Sequence, residues 1–183
     1  MHKDLEKIVL NEAEIAAHVK AAAKWLDGKF QNTDTPPLAI CILKGSVFFY
    51  CDVVRNMNTP VQLDFMTVSS YGNETSSSGV PKIVTDLSAS VQGRDVILLE
   101  DIVDSGHTLF SMRDLLVGRG AKSFTVVTLF DKPSRRKVNI AADYSCYEIG
   151  DEFIVGYGLD YAQQYRNLPY IGVLKREIYE KQN

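Results

Sequence analysis

Paired cysteines, long apolar runs and an excess of either charge are all missing from this 183-residue chain. The three cysteines, Cys41, Cys51 and Cys146, each sit in an apolar stretch and form neither an even disulfide framework nor a metal-ligand pair. They read as small buried hydrophobes in a reducing compartment. No run approaches the length that spans a bilayer, and the charged N-terminus lacks the apolar core of a signal peptide, so a cytoplasmic protein with no membrane partner is expected. Twenty Lys and Arg against twenty-three Asp and Glu leave a formal charge of −3, which argues against nucleic acid as the main partner. No Gly-x-x-x-x-Gly-Lys-Ser/Thr occurs, which disfavours a Walker-type kinase. The length fits one domain with a substantial core.

What is present centres on one stretch. Asp95 to Leu99 is chiefly apolar, with β-branched Val96 and Ile97, as in a strand buried on both faces, and Glu100 and Asp101 close it. A small polar turn follows, and Leu109, Met112, Leu115 and Leu116 then repeat at helical spacing. Strand, acidic end, polar loop and helix is how an open α/β sheet presents a ligand at the carboxyl edge of its strands. Ser105 to Thr108 would lie at a helix N-terminus, where free amides and the dipole favour an anion, and Gly106 would let the backbone approach it. Glu100 and Asp101 share the sign of a phosphate, and suit ribose hydroxyls or Mg²⁺ with its waters. The plain alternative is a solvated strand end with Ser105 capping a helix. A Ser/His/Asp hydrolase from Asp104, Ser105 and His107 is disfavoured, because residues this close in one loop do not form a triad.

Glu100-Asp101-Ile102-Val103-Asp104-Ser105-Gly106-His107-Thr108 resembles the 5-phosphoribosyl-1-pyrophosphate (PRPP) signature of the type I phosphoribosyltransferases. His107 occupies a variable position of that pattern. The resemblance implies an α/β fold with a twisted, mainly parallel sheet flanked by helices, and a small hood. The core would span about 38–143, a lid 69–80, and the hood would combine the N-terminal segment with about 144–174, all in one domain, 1–183. It also implies roles. Glu100 and Asp101 would hold the PRPP ribose and a metal, and Asp104, Ser105, Gly106, His107 and Thr108 the 5′-phosphate. Asp104 would be catalytic, taking or holding the purine N7 proton.

Other segments extend the likeness to the 6-oxopurine members. Leu38 to Leu43 reads as a buried strand that stops at Lys44-Gly45-Ser46, with a helix from Val47 to Val54. By itself this is an ordinary turn with a solvated lysine. Leu43 to Ser46 resembles the family's pyrophosphate loop, whose Leu–Lys peptide is often cis, so Lys44 and Gly45 would bind pyrophosphate together with Arg166. Val61 to Val68 reads as a strand, and Lys82 to Leu87 as its return across a polar loop in which Ser70 and Tyr71 resemble the lid tip. Phe124 to Phe130 is another buried strand, and it ends in the basic run Lys132 to Lys137. Such a run can be solvated surface or dock RNA. By resemblance Lys132 would donate to the purine O6, Phe153 would stack on the base, backbone groups at Ile154 would read its edge, and Asp160 would hold a second Mg²⁺. Tyr144 to Ile149 and Phe153 to Tyr157 read as short strands around the turn at Gly150-Asp151, and Ile171 to Leu174 as the last strand. Asn11 and Glu14 form a capping box that opens a helix with Ile15, Val19, Ala22, Leu26 and Phe30 on one face; Gly28 and Asn32 help to end it.

The activity implied is Mg²⁺-dependent transfer of the phosphoribosyl group from PRPP to N9 of hypoxanthine, and of guanine, in purine salvage, by a homodimer or homotetramer. An ammonium donates and never accepts, so Lys132 would reject adenine; xanthine is harder to exclude. A regulator of the same fold that binds nucleic acid would need a broad basic face.

Overall fold

The computed structural model describes residues 1–69 and 82–180, and the expected lid tip, Ser70 and Tyr71, lies outside the described residues. Two sheets share the chain. The larger runs β4-β3-β2-β5-β6-β7 and is parallel except for β4. Its strands are β2 (Leu38–Leu43), β3 (Gln62–Ser69), β4 (Lys82–Thr85), β5 (Asp95–Val103), β6 (Ser123–Asp131) and β7 (Tyr144–Glu148). The smaller is antiparallel, in the order β1 (Leu5–Leu10), β9 (Ile171–Leu174) and β8 (Ile154–Val155).

Alternation along the central strands builds a core on each face. Ala39, Cys41, Ile97, Leu99, Val127 and Leu129 face α1 (Glu12–Phe30) and α2 (Val47–Asn56). Leu38, Ile40, Ile42, Val96, Leu98 and Val126 face α3 (His107–Gly118). The capping box on α1 forms, with Asn11 Oδ1 accepting from the Ala13 and Glu14 amides and Glu14 returning to the Asn11 amide. Ile15, Val19, Ala22, Leu26 and Phe30 are all buried. The helix runs to Phe30, as its apolar face implied, and Gln31 is its cap.

The chain leaves β2 through α2 toward β3, and leaves β5 through α3 toward β6 in the opposite direction. Ligands of open α/β sheets bind at such a reversal, outside the carboxyl ends of the two strands. Here that crevice lies between Leu43 and Glu100.

Two expectations need correction. β5 does not stop at Leu99 but runs to Val103, because Ile102 and Val103 pair with Phe130 and Asp131 of β6. Glu100 and Asp101 are therefore strand residues. The segment from Tyr144, expected in the hood, instead pairs in parallel with β6, and Tyr144, Cys146 and Tyr147 pack against the α1 core. The chain joins the small sheet only at Ile154, so no hairpin forms around Gly150-Asp151.

Candidate active site

Three segments meet at the head of β2. The Leu43–Lys44 peptide is cis. Ser46 is buried and donates to the Ile42 carbonyl at 2.7 Å, which closes the turn before α2. A Cβ on Gly45 would fall 1.8 Å from Oδ2 of Asp101, and one on Gly158 would fall 2.0 Å from the Gly45 carbonyl oxygen. Gly45 is thus held between the end of β5 and the loop after β8.

Burial raises the pKa of Glu100 well above the usual carboxylate range, and the neighbouring Asp101 charge adds to that. Asp101 is pushed up to about 6, again chiefly by burial; the Ile102 amide, which donates to Oδ1 at 2.8 Å, and Arg166 pull the other way. Asp160 is close enough to act on Asp101 as well. Its own carboxylate accepts from Arg166 Nη2 at 2.6 Å and from the Gln163 amide at 2.8 Å. Arg166 Nη1 donates to the Gly158 carbonyl at 2.6 Å, and Lys44 Nζ reaches Gln163 Oε1 at 3.4 Å. Lys44, Asp101, Asp160 and Arg166 thereby gather around one crevice.

The next turn opens α3. Gly106 adopts φ +86°, and a Cβ there would lie 2.9 Å from both Arg136 Cδ and Ile140 Cγ2. Both the left-handed backbone and the packing therefore demand glycine. The first intrahelical bond runs from the Phe110 amide to the Gly106 carbonyl, and no side chain caps the helix. The amides ahead of it, with the hydroxyls of Ser105 and Thr108, form an anion-receptive end. Residues 132–140 buttress this loop: the Lys132 amide donates to Val103, and the Lys137 amide to Ser105.

Lys132 is buried, and its Nζ donates to the Glu152 carbonyl at 2.7 Å, one residue before Phe153. Burial lowers its pKa, while Asp104 and Asp151 oppose the shift. Phe153 is half-buried, stacks on Tyr179 at 4.9 Å and meets Tyr161 edge-on at 5.7 Å. Ile154 is buried in β8 and pairs with Val173.

Some contributors were not singled out from the sequence. Arg135 and Arg136 bind Asp104 across 31 and 32 residues, and Gln163 joins Lys44 to Arg166. Gly156, Tyr157 and Gly158 all have positive φ, and Tyr157 donates to Asp52 of α2 at 2.6 Å; the two glycines flanking a tyrosine were a readable signal. A cavity of about 460 Å³, lined by Ile15, Val19, Phe48, Tyr157, Arg166 and Pro169 among others, shares only Arg166 with the expected site residues.

Against this geometry, the sequence matches the phosphoribosyl transferase domain over residues 7–162. The chain belongs to the phosphoribosyl transferase domain family. It is 52% identical over 180 residues to the hypoxanthine-guanine phosphoribosyltransferase of Bacillus subtilis (strain 168), covering 98% of this chain and 99% of that protein. It is 49% identical to the bifunctional protein TilS/HprT of Listeria innocua, of which the match covers 28%. A hypoxanthine phosphoribosyltransferase from Staphylococcus aureus superposes with a TM-score of 0.92 at 44% identity, covering 98% of this chain and 97% of that one. The fold is that of the type I phosphoribosyltransferases, as the sequence resemblance implied.

Proposed function

We propose that this family member transfers the 5-phosphoribosyl group of PRPP to N9 of hypoxanthine, and of guanine, releasing pyrophosphate and the 5′-mononucleotide for purine salvage. The observation that carries the reading is Lys132. Its buried ammonium already donates to a backbone carbonyl beside Phe153. A buried group that can only donate rewards a 6-oxo acceptor and leaves a 6-amino group facing another donor. Sites built that way discriminate by far more than shape alone allows.

The roles follow the chain's own groups. The amides of Ser105, Gly106, His107 and Thr108, the hydroxyls of Ser105 and Thr108, and the main chain of Asp104 receive the 5′-phosphate. Lys44, the Gly45 backbone and Arg166 stabilise pyrophosphate as it leaves, the largest electrostatic demand of the reaction. Phe153 supports the base with the Ile154 backbone at its edge. Asp104 holds or takes the N7 proton as N9 bonds to C1′, help worth about 10²–10⁴-fold when well placed.

Glu100 and Asp101 are hard oxygen donors, and their charges lie together in a poorly solvated place. No group of three or more His, Cys, Asp or Glu converges among the described residues. The pair therefore suits Mg²⁺ completed by water and PRPP oxygens, the coordination this ion favours. When bound, it supplies charge neutralisation of the leaving pyrophosphate. Asp160 is the expected carrier of a second Mg²⁺, for which it must exchange its Arg166 pairing. No described helix is long and apolar enough to cross a membrane. We place the enzyme in the cytoplasm as a homodimer or homotetramer.

The test is formation of the mononucleotide from hypoxanthine, PRPP and Mg²⁺, followed chromatographically with release of pyrophosphate. Recovery of both substrates unchanged would overturn the reading.

A further inference from the structure

The roles assigned above leave most of the basic run 132–137 without a task. Its two arginines do not simply face solvent. Arg135 donates from Nε to Oδ1 of Asp104 at 2.7 Å, and from Nη1 to Oδ1 of Asp151 at 2.6 Å. Arg136 donates to the Asp104 carbonyl at 2.5 Å and pairs with Asp131. One short turn therefore holds Asp104 by its main chain and by its side chain.

A carboxylate has two oxygens, each able to accept. With Oδ1 engaged by Arg135, Oδ2 has no hydrogen-bond partner among the described residues and is left for a ligand. An aspartate just past a strand end would otherwise choose among staggered rotamers, and the guanidinium selects one. The second bond matters as much, because Asp151 lies in the turn that leads to Glu152 and Phe153. Arg135 thus ties the 5′-phosphate loop to the segment that presents the base, as a planar fork with two separate partners can.

We propose that Arg135 is a positioning residue that aligns the free oxygen of Asp104 with the purine. This rests on the function proposed above. Both ion pairs are about half exposed, so they add little to stability, and removing them should leave the fold intact. The effect belongs in catalysis. A misaligned base forfeits part of the general-base contribution, and kcat should fall about tenfold.

The experiment measures kcat and both KM values for the parent, Arg135→Ala, Arg135→Lys, Asp151→Asn, Asp104→Asn and the double variant Asp104→Asn/Arg135→Ala, with thermal unfolding of each. Arg135→Ala should lose about tenfold in kcat with the KM for PRPP within about twofold, and Arg135→Lys should recover part of the loss. Asp151→Asn should lose less. In the Asp104→Asn background, removing Arg135 should cost under about twofold more, because the group it aligns is already gone. An unchanged kcat for Arg135→Ala, an equal loss in both backgrounds, or a loss confined to the KM for PRPP would each overturn the assignment; the last would make Arg135 a phosphate ligand. A parent that makes no mononucleotide overturns the function and this inference together. A fully active Asp104→Asn removes the role of Asp104 and leaves the function standing.

Discussion

Replacing Gly45 by alanine tests how closely the loop proposed to bind pyrophosphate is fitted to the acidic end of β5. The added methyl would lie 1.8 Å from Asp101 Oδ2 and 2.9 Å from its Cγ. Ordinary contact requires about 3.5 Å between such atoms, so the two groups must part by more than about 1.5 Å. Each side yields only at a cost. Asp101 is fixed by the Ile102 amide at 2.8 Å, and the Gly45 carbonyl abuts Gly158 closely enough that a Cβ there would fall 2.0 Å away. Displacing a positioned group by about 1 Å can cost about 10²-fold, and kcat/KM for PRPP should fall by that order, about 2.7 kcal/mol of transition-state stabilisation. The fold should lose only the Asp101 hydrogen bond, about 1 kcal/mol, or roughly 2–4 °C in Tm. Gly28→Ala is the control: nothing lies within 4 Å of its added methyl, and it sits inside α1. It should leave activity unchanged and gain about 0.5–1 kcal/mol. Initial rates at varied PRPP, with calorimetry of both variants, decide the matter. A Gly45→Ala enzyme within about threefold of the parent would refute the reasoning.

Lys132→Ala should raise the KM for the base and leave that for PRPP nearly unchanged, and steady-state kinetics showing the reverse would remove it from the base pocket. Asp27 in α1 accepts from the amides of Asn58 and Thr59 beyond α2. Burial alone would raise its pKa, but these donors outweigh burial and hold it below the usual value. Its contribution is therefore present above about pH 4 and fades as pH falls through the depressed folded value. Asp27→Asn should cost about 1 kcal/mol at pH 7, with the gap from the parent closing as pH falls below about 4 in urea titrations. Burial pushes both Cys41 and Cys146 up to about 12. About one in 10⁴ of either thiol is then thiolate at pH 8, and iodoacetamide should leave both unmodified in the native protein. Rapid native labelling of either, located by peptide mass, would contradict the raised thiol pKa values.

The parts of this molecule legible in the sequence are those governed by neighbours along the chain. The buried strand Leu38–Leu43 and the capping box of α1 announce themselves through local pattern. So does the strand–loop–helix at Glu100 to Thr108, and it placed the crevice. β5 was read too short because two acidic residues mark a strand end in most contexts, whereas here the pairing of Ile102 with Phe130 carries the strand past them. Tyr144–Glu148 was set in the hood because its residues show a strand without showing its partner; packing against α1 decides that. The hold of Arg135 on Asp104, and the closeness of Gly45 to Gly158, join residues far apart in the chain, and no local spacing encodes them.

Lys132 is proposed to choose the base, and the most direct measurement compares kcat/KM for hypoxanthine, guanine, xanthine and adenine with PRPP and Mg²⁺. Hypoxanthine should be turned over, with guanine alongside, and adenine should fall at least about 10³-fold lower, because the buried Lys132 ammonium has no acceptor on it. Adenine used as well as hypoxanthine would contradict the Lys132 argument and the function built on it.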